Sequence, residues 1–413
     1  MRPLATFRRL LNRGLLAILF NNPKTVGMGT MSVVYMSRAA VAAALLLAQG
    51  AAASAQDTIK IGVITDRVAS AKFYAEPVTR GVELGAKVLN DKGGVLGKKI
   101  QLIIEDDQNK PDVSAAKARK LVDDGVVAII SNTGSPATQQ AQTVSLETKT
   151  LHLTPANSAD TLTTQLDDPY FFQTGPLASI QLATLMAYTK SRGFKTVAIV
   201  RDNSVLSQSF ADSFRQGLEK AGIKVALEEV IPQGATSAVA NLQKVRAEKV
   251  DAILQAGVLG PEMLQFFRAY QQLGMKEPIL GSYNLSIPAY LVMAKDLMDG
   301  VVFVDAFDID KPEAKAFTEA YVKEYNEQPS SLPAYGWDGI RLIAQAMEKA
   351  GSLDKEKLRA AMASTTNFVG AIGAKGTSWG FRDGKRTGFD PQGAVVRIIK
   401  DNQHGPVVYA GQK

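Results

Sequence analysis

Short apolar runs alternate with amphipathic stretches along most of this chain, and that alternation is the main structural signal. Residues 59–64 read as a strand, and 78–89 carry apolar side chains at Val78, Val82, Ala86 and Leu89, the spacing of one helix face, ended by Gly93-Gly94. Ile100, Leu102 and Ile104 alternate as a second strand that runs into Glu105-Asp106-Asp107, and 112–124 is the next helix. Residues 126–130 are an almost unbroken apolar run, which suits a strand of a parallel sheet covered on both faces. This order predicts β-α-β-α-β-α-β with right-handed crossovers, an α/β unit.

The stretch 125–158 concentrates the chemistry. Its strand opens into Ser-Asn-Thr-Gly-Ser, and Ser135-Pro136 predicts a helix start with Ser135 as N-cap and Pro136 at the first helical position. A second strand and the polar loop Thr154-Pro155-Ala156-Asn157-Ser158 follow, so two strand ends and a helix N-terminus meet in one place. Free backbone N–H groups and the positive end of the helix dipole favour a carboxylate or phosphate there. The plainer alternative is that Ser135 only caps its own helix.

Near Gln173-Thr174-Gly175-Pro176 a second series begins. Helices are expected at 180–191, 208–221, 238–249 and 261–273, with strands at 196–201, 224–230, 252–255 and 279–281. After 301–304 the pattern turns helical at 313–326, 335–350 and 354–363, then closes in β-like segments around 389–396 and 407–409. No low-complexity linker separates the halves, so two lobes that exchange chain segments are expected.

Charge changes the picture at the N-terminus. Of 47 basic residues six fall in 1–55, which hold no acid, so the rest carries 41 basic against 40 acidic residues and the net charge of +7 shrinks to +1. That balance argues against a nucleic-acid partner. Met36-Ser37-Arg38, the apolar run 39–48 and Ala53-Ser54-Ala55 form the n-region, h-region and A-x-A site of a secretory signal, with cleavage expected after Ala55 and Met36 as the better start. A retained amphipathic anchor over 10–20 is the rival reading, and no later run approaches the length of a spanning helix. With no cysteine and only His152 and His404, thiol chemistry is impossible, a Ser-His-Asp system has little support, and no metal or cofactor is expected.

Gly93-Gly94-x-x-Gly97 follows a helix and precedes a strand, the reverse of a dinucleotide fingerprint, and reads as a helix stop. Glu105-Asp106-Asp107 lacks the loop of a calcium site and reads as a solvated strand end. Tyr74 and Tyr283 fall in predicted strand-end loops, where ligands of α/β sheets bind, though core aromatics are the alternative. Arg67 follows the first strand and could reach a ligand acid group or serve a surface ion pair; Leu206, just ahead of the helix at 208–221, is a further candidate.

Asn90-Asp91-Lys92-Gly93-Gly94-Val95-Leu96-Gly97-Lys98, Glu105-Asp106-Asp107-Gln108, Ser135-Pro136-Ala137-Thr138-Gln139 and Thr154-Pro155-Ala156-Asn157-Ser158 together resemble the leucine/isoleucine/valine-binding protein family, periplasmic receptors of ATP-driven importers. The resemblance covers 57–413. It implies two lobes joined by three crossovers near 174–177, 300–306 and 370–376, with 57–175 and 305–371 in one lobe and 176–304 and 372–413 in the other. It also implies a ligand carboxylate at Ser135 and Ser158, an ammonium at the carbonyl of Ala156 beside Asn157, an aromatic wall at Tyr74, and membrane permease subunits as partners.

Two positions depart from the family. Gln255 stands where a tyrosine is common, and Tyr283 where an ammonium-pairing glutamate is common, with Glu262 a nearby acid for that role. Loss of one side of a buried charge-assisted contact costs about 2–5 kcal/mol, and a cation–π contact from Tyr283 returns only about 0.5–2 kcal/mol. The expected function is capture of a small carboxylate, a branched-chain or related amino acid; the rivals are an aromatic or keto acid without an ammonium, or the ligand-sensing module of a receptor. An α/β enzyme would need a nucleophile–base pair that two histidines barely offer.

Overall fold

In the computed structural model, which describes residues 58–410 other than Ser70 and Leu259 and leaves aside the side chains of Val205 and Leu206, the alternation becomes two sheets. The expected signal segment at 1–55 lies outside the described residues. The first sheet holds β1 (Ile59–Thr65), β2 (Ile100–Asp106), β3 (Ala128–Asn132), β4 (Leu151–Thr154) and β5 (Phe171–Gln173), all parallel, in the order β2-β1-β3-β4-β5. Its early helices are α1 (Lys72–Asp91), α2 (Pro111–Asp123) and α3 (Ser135–Thr148). Chain order reverses at β1, so a crevice opens beyond the carboxyl ends of β1 and β3.

The second sheet holds β6 (Thr196–Asp202), β7 (Lys224–Ile231), β8 (Ala252–Gln255), β9 (Ile279–Gly281), β10 (Val302–Asp305), β11 (Val395–Lys400) and β12 (Gln403–Ala410), ordered β12-β11-β10-β9-β8-β6-β7. Only the β10–β11 and β11–β12 pairs are antiparallel. The helices of this half are α4 (Ala178–Ser191), α5 (Val205–Lys220), α6 (Val239–Ala247), α7 (Pro261–Gln272) and α8 (Pro288–Ala294). Three more, α9 (Pro312–Tyr325), α10 (Ser331–Ala350) and α11 (Lys355–Ala363), return to the first sheet, where α10 packs along α1. Gly81 and Gly336 make that crossing possible: a Cβ at Gly81 would lie 1.8 Å from the Pro333 carbonyl oxygen, and one at Gly336 would lie 1.9 Å from that of Val78.

Several expectations shift. Helix α1 begins at Lys72 rather than 78, because Asp66 folds the loop after β1 by accepting the N–H groups of Val68, Ala69 and Ala71 at 3.0, 2.7 and 2.8 Å, and the helix then runs through Pro77. Tyr74 therefore sits in the first turn of α1 and not in a loop. Residues 282–298, left without an element in the sequence reading, form the 3-10 turn Tyr283–Ser286, α8 and a second 3-10 turn, Lys295–Met298. The closing segments pair as a hairpin through Asp401-Asn402, both left-handed at φ 53° and 55°, the twist a two-residue hairpin turn requires.

The chain crosses between the sheets in three stretches tied to one another. Gly373 N–H donates to the Ala306 carbonyl at 2.7 Å, and Ala374 N–H to that of Gly393 at 3.0 Å. Gln173 exchanges backbone bonds with Arg386 and Gly388 at 2.9 and 2.8 Å. Residues 372–388 were expected with the second lobe, yet Trp379 and Phe381 join the apolar core of the first sheet, where Phe381 packs on Phe172 at 4.7 Å between ring centres. The last passage to the second sheet comes after them, between Phe389 and β11. One apolar cluster joins the two halves: Val78, Ala156 and Tyr335 on the first-sheet side pack with Leu285, Phe303 and Phe307 on the second.

Candidate ligand-binding site

The first half of the site is the pair of strand ends at β3 and β4. Gly134, not Ser135, is the N-cap of α3, so Ser135 is the first helical residue and its hydroxyl is released from capping. Its Oγ donates to Asn157 Oδ1 at 3.0 Å. Asn157 is buried, and its Nδ2 is shared among the Thr133 carbonyl at 3.0 Å, Thr138 Oγ1 at 3.0 Å and Thr154 Oγ1 at 2.8 Å. The Asn157 amide thus laces the two strand ends together instead of pointing at a ligand, and it leaves a half-buried serine beside the N-terminus of a 14-residue helix. That is an anion-binding geometry. Ala156 is buried next to Asn157, within the cluster that joins the halves.

Ser158 carries the connection across. Its carbonyl accepts the Ala178 N–H, at the start of α4, at 2.8 Å. Burial pushes the phenol of Tyr283, just beyond the end of β9, upward, and the nearby Ser158 side chain opposes that. Tyr74 is pushed well above its ordinary value by burial and then by Tyr283, Asp107 and Asp66; Tyr335 by burial and then by Asp305 and Tyr283. Tyr283 thus acts on both other phenols, and each of the three, being neutral, can donate a hydrogen bond without contributing charge.

The other candidates stay apart. Gln255 is buried at the end of β8, but its Nε2 donates to the Val258 carbonyl at 2.6 Å and its Oε1 accepts the Gly257 N–H at 3.3 Å, so its amide shapes its own loop. Glu262 accepts the Gly234 N–H and is likewise engaged. Arg67 is exposed and lines a cavity of about 340 Å³ with Glu76, Arg80 and Glu83 on the flank of α1. Leu206 lies in the first turn of α5; its side chain is outside the described ones.

Tyr335 was missed because the 3.6-residue spacing of 335–350 made it look like one more core position. The available signal was its type: a tyrosine, not a phenylalanine, in the buried N-terminal part of α10. A second network uses the residue types of a hydrolase without its exposure. His152 Nε2 lies 2.6 Å from Ser131 Oγ and Nδ1 3.1 Å from Ser145 Oγ, which donates to Asp168 at 3.3 Å. His152 is fully buried against Phe171, and burial lowers it to about 3, so this chain is an internal brace of the first sheet. Among the described residues no cluster of His, Asp and Glu could hold a metal ion, and no helix is long and apolar enough to cross a membrane.

Two parallel-stranded lobes, tied by three crossings and offering their strand ends to one another, define a two-lobed binding protein of the type I periplasmic architecture. The chain belongs to the periplasmic binding protein family, whose profile, described as "Periplasmic binding protein", matches residues 58–401. It is 30% identical over 321 residues, 76% of this chain and 84% of the other, to the leucine-, isoleucine-, valine-, threonine- and alanine-binding protein of Pseudomonas aeruginosa. It is 28% identical to a Leu/Ile/Val-binding protein of Rhizobium johnstonii, over 82% of this chain and 92% of that one. Among solved structures, the branched-chain amino acid transporter substrate binding protein LivJ of Streptococcus pneumoniae, in complex with isoleucine, superposes with a TM-score of 0.74 at 23% identity, covering 86% of this chain and all of that one. These relatives are binding proteins rather than enzymes, which sets the class of activity at the level of the family.

Proposed function

We propose that this protein captures a small carboxylate, a branched-chain or related amino acid, between its two lobes and delivers it to the permease subunits of an ATP-driven importer, working in the periplasm after removal of 1–55. The observation that carries the reading is Ser135 at the start of α3, freed from capping by Gly134 and bonded to Asn157 at 3.0 Å: its hydroxyl and the N–H groups of that helix end hold the carboxylate, and Tyr283 covers it from the other lobe. The lobes close about the three tied crossings, with 57–175 and 305–388 moving as one body and 176–304 with the β11–β12 hairpin as the other. The amino-acid relatives support the ligand class.

A second reading has its own support. A carboxylate without an ammonium, aromatic or keto acid, fits the absence of an uncommitted acid among the described strand ends of the second sheet: Asp305 is paired with Arg397 at 3.1 Å, Asp202 accepts the Ser204 N–H at 2.8 Å, and Glu262 is on Gly234. Isothermal titration with leucine and with benzoate separates the two. Micromolar leucine binding establishes the first; benzoate binding with leucine silent establishes the second.

A further inference from the structure

Tyr335 is 2% exposed, one turn into α10, and its hydroxyl has no hydrogen-bond partner among the described residues. A buried phenol in that condition is costly, because desolvation of the hydroxyl is not offset. The surroundings do not provide a partner within the chain. The apolar cluster around Tyr335 includes Ala156, Leu285 and Phe307. Asp305, the acid that acts on it, is bound to Arg397 at 3.1 Å and to the Ala306 N–H at 2.8 Å. A phenylalanine would fill the same space without the penalty, so the hydroxyl calls for an explanation outside the protein's own hydrogen bonds.

We propose that Tyr335 is a specificity-determining residue whose hydroxyl bonds to an oxygen on the far end of the ligand, so that the preferred ligands are small carboxylates bearing a hydroxyl or carbonyl group rather than purely aliphatic or unsubstituted aromatic ones. The inference rests on the carboxylate-capture reading and divides its ligand class. Tyr335 shares its apolar cluster with Ala156, two residues before Ser158, and with Leu285 of the turn that carries Tyr283, and a site that holds a buried donor discriminates against the analogue that leaves the donor unpaired.

Two near-isosteric comparisons read the hydroxyl directly: threonine against valine, and para-hydroxybenzoate against benzoate, each titrated calorimetrically into the full chain and its Tyr335→Phe variant. The hydroxyl-bearing member of at least one pair should bind the unaltered chain about tenfold more tightly, the effect of one buried hydrogen bond. Tyr335→Phe should reduce that preference to about twofold or less and leave the affinity for valine or benzoate unchanged. Absence of any preference, or a preference that survives Tyr335→Phe, overturns the inference and leaves carboxylate capture standing. Binding of none of the four probes removes both.

Discussion

The two halves of the site are built on opposite principles. At the ends of β3 and β4 Asn157 is bonded to Thr133, Thr138 and Thr154 and the Gly134 N–H to Asn109 at 3.0 Å, with Asn132 Oδ1 left over. Across from it, the turn at 282–286 presents Tyr283 while Ser282 Oγ, Asn284 Nδ2 and Ser286 Oγ are all buried without partners among the described residues. On the proposed reading the first half receives the carboxylate, a group every ligand of the class possesses. The turn across from it has hydrogen-bonding capacity left over, and discrimination falls to that turn together with Tyr335, which α10 brings to the first-sheet side.

The largest expected effect tests the rigidity of the first half. His152 is neutral in the fold, lowered to about 3 by burial, and titrates near pH 6.5 once unfolded. Above pH 6.5 it contributes nothing to the pH dependence; below it the unfolded chain takes up a proton the folded chain refuses, and stability falls by about 1.4 kcal/mol per pH unit. Urea unfolding followed from pH 7 to pH 4 should lose about 3 kcal/mol through this group, and His152→Gln should flatten the slope by that amount.

Asn157→Ala comes next. It strands the groups that Asn157 joins, so it should lower stability by about 2–3 kcal/mol and weaken every carboxylate ligand, seen in thermal melts and calorimetry together. Ser135→Ala should sharpen the contrast by acting on binding almost alone: a loss of about 1–3 kcal/mol, as for a hydrogen bond to a charged group, with the melting temperature nearly unchanged. An unaltered dissociation constant would remove Ser135 from the site. The smallest effect is on the other side, where Tyr283→Phe should cost about 1 kcal/mol of affinity, the loss of one hydrogen-bonding hydroxyl, visible as faster ligand release in stopped-flow displacement.

Much of the fold was legible because its strands are buried on both faces. All five residues of β3 are buried, and a run such as 126–130 can be little else. The anion-binding half of the site was legible for a related reason, since Ser-Pro after such a strand marks a helix start whichever of Gly134 and Ser135 is the cap. What escaped depends on partners distant in sequence. The first helix was expected only from Val78 because nothing local reveals that Asp66 has already turned the chain into α1. Gln255 looked available because its bonds to Val258 and Gly257 belong to loop geometry, not to pattern. Trp379 and Phe381 were placed with the wrong lobe because their core lies about two hundred residues upstream, at Phe172.

The contact of α1 with α10 bears on how such a site can diversify. Gly81 and Gly336 let two backbones touch, and the helices they join carry Tyr74 and Tyr335. A methyl group at either glycine has to part those helices and the two phenols with them. With the site as proposed, positions remote from any ligand limit the variation open to the lineage: exchange of side chains around Tyr283 would change the chemistry of the pocket, whereas change at the glycine pair would first alter its width.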